Sequence, residues 1–372
     1  MKKSIGTKLL AIILTIVAVT AAALLGIKIA QKTNSKENNL AYNEQEKNEE
    51  VPKVEEKKEP KTFKGTDRPI AVMLDNHKDA MPQAGLNSAY MVYEMIVEGG
   101  ETRLMALFKG VSLDKIGPIR SSRHYYLDYA LENDAIYVHF GWSPQAQSDI
   151  SKLGVNNING IYESASSFKR STDKQHSYLH SVTTTTDTIL QIAERKGYRT
   201  TSEQKSVLNY VGEEVNLDSD IEATKVTIPY STSNTVKYEY DEVTKRYTRY
   251  SRGVKQTDWA TGETVTVKNI IVYKCYNWTL KDSENKGRQS LDNVKTLEGY
   301  YITNGKAIEI TAEKSTRSGQ TVYKDLEGNE IEVNDGNTFM QICPIDSKIV
   351  IEPGAPEDVS ETNSNTIANE LN

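Results

Sequence analysis

The alternation of apolar and polar positions divides the chain into stretches of different character. Residues 1–8 carry Lys2, Lys3 and Lys8, and Leu9–Ile27 then runs without a charge. At about 1.5 Å of rise per residue, a helix of that length crosses the hydrocarbon core of a bilayer. The apolar run continues through Leu24, Leu25 and Ile27, past the small residues Ala21–Ala23. A signal anchor is therefore favoured over a cleaved leader. No cysteine lies in this region to take a lipid. Residues 1–8 are expected in the cytoplasm, with 28–372 outside, because nothing later is apolar enough to span again. Residues 28–64 are dense in Lys, Glu and Asn and have almost no aliphatics, so they read as a disordered charged stalk. Residues 355–372 read as a disordered tail.

Between stalk and tail the pattern changes once. In residues 65–215, PIAVMLD (69–75) is a short apolar run bounded by Pro and Asp-Asn, which predicts a strand. The stretch 89–110 predicts a hairpin around Gly99-Gly100. A two-residue turn there places Glu94, Ile96, Glu98 and Arg103 on one face, and Tyr93, Met95, Val97, Leu104 and Ala106 on the other. Ser121 or Ser122 can cap a helix running to about Leu131, with Arg120 and Arg123 at its mouth. AIYVHF (135–140) predicts a strand with His139 near its end. Ser143 and Pro144 then open a helix that stops at Gly154. A last helix, 187–196, is capped by Thr186 or Asp187 and stopped at Gly197. Strands alternating with helices make this a layered α/β domain.

Residues 216–354 instead hold alternating runs such as VTIPY, VKYEY and ETVTVKNIIVY, with turn signals at Asn304-Gly305, Gly328-Asn329 and Asp335-Gly336. They predict a mostly antiparallel β domain, so the whole is an α+β multidomain protein. Cys275 and Cys343 both lie here; a disulfide and two separate buried thiols fit the sequence equally well.

Composition narrows the function. A formal charge of −6 and a pI near 5.6 give no footprint for nucleic acid. All five histidines fall between His77 and His180, in the segment that also holds Asp75, Glu94, Glu98, Arg103, Arg120 and Arg123. Several of these sit at strand ends or helix mouths, where α/β sheets bind ligands. A polar cleft follows. Asp75, His77, Glu94 and Glu98 are its candidate acid–base groups, and Asn76, Arg103, Arg120, Arg123, His139, Ser143 and His180 its candidate ligand-binding groups. There is no HExxH, no Gly-rich phosphate loop and no Gly-x-Ser-x-Gly elbow. Only His176 and His180 have helical i,i+4 spacing, and their neighbours read as loop, so no metal and no cofactor is expected.

VMLDNH (72–77), NSAYMVYEMIVEGGETRLMALF (87–108), IGPIRSSRHYYLDYA (116–130) and IYVHFGWSPQA (136–146) resemble the N-terminal domain of the YerB-like family, Gram-positive envelope proteins of unknown function. HSVTTTTD (180–187) is similar to the family's His-Asn-Leu-Tyr-Thr-Ser-Thr-Asp run, with Ser181 in place of Asn; just outside it, Leu179 replaces Pro and His176 an arginine. TVTVKNIIVY (264–273), YYITNGKAIEIT (300–311) and DGNTFMQICP (335–344) resemble the family's C-terminal domain. The resemblance implies a two-domain fold and supplies no reaction. Members often carry a lipid-modification motif, which a membrane helix replaces here. The expectation is a single-pass, extracytoplasmic membrane protein whose cleft binds a cell-wall polymer or an envelope protein partner. The alternative is a hydrolase or transferase acting on an anionic or glycan substrate.

Overall fold

Every residue of β1 (Ile70–Asp75), β2 (Met91–Ile96) and β3 (Thr102–Phe108) is buried. These runs are largely apolar because the sheet they form is covered on both faces; Asp75, Glu94, Thr102 and Arg103 are the polar exceptions. A computed structural model describes residues 58–172 and 175–354. The sheet adds β4 (Ile136–His139) and β5 (Asn157–Asn159) at one side. From the second segment it takes β9 (Asn269–Cys275), β10 (Thr296–Thr303), β11 (Lys306–Glu313), β12 (Val322–Lys324) and β13 (Thr338–Pro344). Its order is β12-β11-β10-β9-β13-β2-β3-β1-β4-β5. The α+β class stands, with the three α-helices of the described residues in the first segment, yet both segments build this one sheet. β13 joins them: it pairs in parallel with β9 on one side and with β2 on the other.

A second sheet is made of β6 (Lys225–Ser231), β7 (Asn234–Asp241), β8 (Arg246–Ser251) and β14 (Val350–Glu352), with two short pieces beside β8. Its strands alternate, as one-sided burial requires; in β6 the buried positions are Val226, Ile228 and Tyr230. This sheet packs on the main-sheet face that carries Glu94, Gln341 and Phe339. Tyr230 donates to the Glu94 carbonyl at 3.0 Å, and the Tyr238 ring lies 6.5 Å from Phe339. The opposite face is covered by α1 (Tyr126–Glu132), where Tyr93 and Tyr129 rings approach to 4.8 Å and Tyr93 donates to Glu132.

α2 (Pro144–Lys152) starts as expected, Ser143 Oγ accepting the Ala146 N–H. α3 (Thr186–Arg195) is capped by Thr185, one residue before the expected cap, and the chain leaves it through Gly197 at φ 70°. α1 differs more. It starts at Tyr126, not near Ser121, because the Ser122 carbonyl accepts the Ser143 N–H and its Oγ the Tyr137 hydroxyl, so neither opens a helix. Residues 118–120 lie along the end of β1 instead: Asp75 N–H donates to Pro118 O, and Arg120 N–H to Met73 O. Arg120 is therefore away from the helix mouth, whereas Arg123 stays just before it, its carbonyl accepting the Tyr126 N–H.

The hairpin register also differs from the two-residue expectation. Glu98–Gly100 form a 3-10 turn with Gly99 and Gly100 at φ 71° and 73°, and Ile96 pairs with Thr102. This shifts β3 by one residue, which exchanges its faces. Arg103 sits opposite Met95 and Asp75, whereas Glu94 sits opposite Leu104. Glu94 and Arg103 occupy opposite faces.

The end of the expected stalk is folded: the N–H groups of Lys61 and Thr62 donate to the Asp335 carboxylate, and Phe63 packs edge-on to Tyr90. The expected anchor Leu9–Ile27, the rest of the stalk and the tail lie outside the described residues. Among the described residues no helix is long and apolar enough to cross a membrane. Cys275 and Cys343 are two free, buried thiols.

Candidate functional site

Asp75 ends β1, and its side chain points to the face that carries Arg103. His180 Nδ1 lies 2.7 Å from Asp75 Oδ2, Arg120 Nε lies 3.1 Å from the same oxygen, and the His77 N–H donates to Oδ1 at 3.1 Å. Burial pushes this carboxyl's pKa up, but the His180 hydrogen bond, the Arg120 charge and the His77 N–H together hold it below the usual range. His180 is brought here by the segment 182–184, which pairs with 116–119 through Ile119 N–H to Val182 O and Ile116 N–H to Thr184 O. The His77 and His180 rings stack 4.8 Å apart at 13°. Asp79, which the sequence reading did not single out, places its carboxylate 3.6 Å from His77 Nδ1.

Farther along the same face, Glu98 is gripped by two arginines. Arg123 donates through Nε at 2.9 Å and again through Nη2, and Arg103 donates at 3.2 Å. Burial raises the Glu98 pKa, but the Arg123 hydrogen bonds and both guanidinium charges override it and bring it to about 2. Arg103 is itself lowered to about 10, first by burial and then by the neighbouring Arg123. Neither Asp75 nor Glu98 can hold a proton near neutrality, so neither supplies a general acid.

Asn76 turns to the other face and enters a different network. It donates to Glu94 Oε1 at 3.0 Å and to Thr102 Oγ1 at 2.8 Å, and accepts from Gln83. Glu94 Oε2 is held by Arg249 Nη2 at 2.6 Å, and both side chains are 0% exposed. Glu94 and Asn76 are thus sealed between the two sheets as structural groups, which removes them from the accessible cleft. Arg249 also reaches Gln256 and Tyr238. A comparable buried pair, Lys314 with Glu132 at 2.7 Å, ties the segments on the helical face. Arg249 carries a signal that sequence reading can catch: in RYTRYS it shares the buried parity of Tyr247 and Ser251.

His139 is buried with Nδ1 2.8 Å from Gly141 O and Nε2 3.2 Å from Asn157 Oδ1. Desolvation lowers its pKa to about 4. It is a satisfied core histidine, and Ser143 is a helix cap; neither faces the cluster. His176 contacts Pro82 O at 2.9 Å and the Trp259 ring. The cluster that does form is Asp75, His77, Asp79, Arg120 and His180, with Glu98, Arg103 and Arg123 beside it.

Around it runs an apolar rim that the sequence reading missed. Tyr178 and Leu179 precede His180 and are 72% and 63% exposed. The Arg120 guanidinium donates to Leu179 O at 3.0 Å. Arg170 lies 4.1 Å from the Tyr178 ring centroid and 5.7 Å from that of Phe140. Exposed Tyr162 lies 5.7 Å from Trp142 in a separate pocket, with Lys196 and Tyr198.

The family model described as the N-terminal domain of a protein of unknown function (DUF3048) matches residues 55–199. The model for the C-terminal domain of the same family matches residues 226–340. The chain is 32% identical over 272 residues to a Bacillus subtilis (strain 168) protein described as "Putative lipoprotein YerB", across 72% of this chain and 76% of that one. The crystal structure of the Bacillus subtilis YerB protein superposes with a TM-score of 0.67 at 31% identity, covering 77% of this chain and 94% of that one.

Proposed function

The chain belongs to the YerB-like family, and from that membership we propose that it is a membrane-tethered, extracytoplasmic envelope protein that binds an anionic cell-wall polymer without turning it over. The tether is the apolar segment Leu9–Ile27, in the place where the described relative is named a lipoprotein. The observation that carries the reading is the meeting of cations and an exposed aromatic ring on one surface. Arg103, Arg120, Arg123 and Arg170 stand against Asp75, Asp79 and Glu98, which leaves the patch one positive charge in excess. Guanidinium groups grip phosphate or carboxylate, and the exposed Tyr178 ring offers a flat face to sugars.

Binding is preferred to hydrolysis because the carboxylates lack a protonated member. Acid–base glycan cleavage needs one carboxyl raised and one ionised; Glu98 sits at about 2, Asp75 is lowered, and Glu94 is sealed away. The test is co-sedimentation of the purified full chain with isolated walls and with defined anionic polymers, followed by mass analysis of the polymer. Salt-sensitive retention, lost at least several-fold in Arg120→Ala with the polymer unchanged in mass, is expected. No retention, or retention indifferent to Arg120→Ala, overturns the reading; a covalent change in the polymer favours the hydrolase or transferase.

A further inference from the structure

We propose that His77, Asp79 and His180 form a binding site for a divalent transition-metal ion of the zinc class, which goes beyond the polymer-binding reading and does not rest on it. One ligand atom from each of the three lies within 4.8 Å of the other two. In the sequence the two histidines are far apart and the loop around His180 has no metal-binding spacing; the site exists only because residues 182–184 dock beside 116–119.

Two observations point to a metal beyond simple proximity. His180 Nδ1 is committed to Asp75 Oδ2 at 2.7 Å, which leaves Nε2 as the lone-pair nitrogen of the neutral ring. A carboxylate behind a ligating imidazole is the arrangement that fixes the tautomer of metal-bound histidines. Next, His77 Nδ1 and Asp79 Oδ2 face each other at 3.6 Å. Both carry lone pairs, and in a neutral ring only the long hydrogen bond from the Asp79 N–H (3.2 Å) occupies Nδ1. Tetrahedral zinc with bonds near 2.0–2.1 Å sets its ligand atoms about 3.3 Å apart, so this pair is already close to the required bite. The two rings stack with 13° between their planes, and an imidazole lone pair lies in its ring plane, so closing on one ion requires the His77 ring to turn out of this stack. His77 and Asp79 are 32% and 52% exposed, which leaves room for that turn, whereas His180 is held.

Charge allows it. Two carboxylates, Asp75 and Asp79, and one guanidinium, Arg120, leave one net negative charge to meet a divalent ion. Two imidazoles and one carboxylate leave a fourth position open, as in zinc sites that carry water or a ligand oxygen.

The experiment uses the full chain, purified in detergent, stripped with chelator and titrated with Co²⁺. One equivalent is expected to develop visible d–d absorption that Zn²⁺ then displaces. His77→Ala and His180→Ala should abolish the saturable signal, Asp79→Asn should weaken binding at least about 10-fold, and Asp75→Asn about 10–100-fold as an outer-shell change. His176→Ala should leave the titration as it is. If His180→Ala unfolds because it strands Asp75, the exposed His77→Ala and Asp79→Asn decide the matter. Absence of saturable binding, or saturation unchanged in those two variants, overturns the proposal.

Discussion

Asp75 and Asn76 are neighbours in the chain and serve opposite faces of one sheet. Asp75 gathers His180, Arg120 and the His77 N–H on the accessible side, while Asn76 joins Glu94, Thr102 and Gln83 in the sealed layer between the sheets. Side chains in a strand alternate faces, so one step along β1 separates a candidate binding group from a structural one. The predictions divide along the same line.

On the sealed side, Arg249→Ala should cost about 3–5 kcal/mol, because it leaves the Glu94 carboxylate buried and unpaired. Glu94→Gln/Arg249→Met should lose less than the sum of its two single changes. Urea denaturation of the four proteins gives the coupling. Strict additivity would mean that the pair does not interlock the sheets.

On the accessible side, Arg120→Ala should cost about 1 kcal/mol or less, since its side chain is one-third exposed and Asp75 keeps His180 and the His77 N–H. The same change should weaken polymer retention several-fold. A large stability loss would make Arg120 a structural residue.

The pH dependence has two windows with the same sign. Folded His139 and His124 are both lowered by burial to about 4, so between pH 4 and 6.5 the unfolded chain binds more protons at these sites and their contribution is lost as pH falls. Asp128, raised by burial to about 6, opposes this in part. Below, Glu98 is depressed from 4.5 to about 2, so its contribution is intact above pH 4.5 and disappears as pH falls toward 2. Stability measured against pH should show both losses, with the lower one reduced in Glu98→Gln but not abolished, since Asp75 and Asp134 are also lowered. An unchanged acid limb in that variant would remove Glu98 as its source.

Gly117→Ala tests the loop that delivers His180. A Cβ there would stand 2.6 Å from Val182 O, at a φ of 153° that L side chains rarely adopt. It should cost about 2–3 kcal/mol. Hydrogen exchange should rise at the Ile119 amide, which is bonded to Val182 O. Protection equal to the parent would show that the 182–184 segment does not need this close approach.

Burial pushes the Cys275 and Cys343 thiols up to about 12. Neither should react with a maleimide in the native protein at pH 7, and both should react after denaturation. Native labelling at one equivalent or more would contradict the burial.

What could be read from the sequence was whatever depends on neighbours along the chain. PIAVMLD is continuously apolar and is a strand buried on both faces; Ser143-Pro144 is a local cap and holds. The pairing of Arg249 with Glu94 spans 155 positions and leaves only a parity cue in β8. The register of β3 turned on whether Gly99-Gly100 makes a two-residue turn, and the observed 3-10 turn moved Arg103 to Asp75's face. The start of α1 was lost because Ser122 gives its carbonyl to the Ser143 N–H and its hydroxyl to Tyr137, contacts with no local signature. Asp75, His77, Arg120 and His180 were each legible as polar residues at element ends. Their convergence, and the inclusion of Asp79 and the Tyr178 rim, depends on how the 182–184 segment docks.

The position of β13 also orders events in time. Residues 338–344 fill the middle of the main sheet, so β2 has an unpaired edge and Glu94 faces an incomplete layer until nearly the whole chain has emerged. A chain made from its N-terminus cannot finish this sheet early. It closes only when the far end arrives, and the last central strand to arrive is the one that fastens the two segments together.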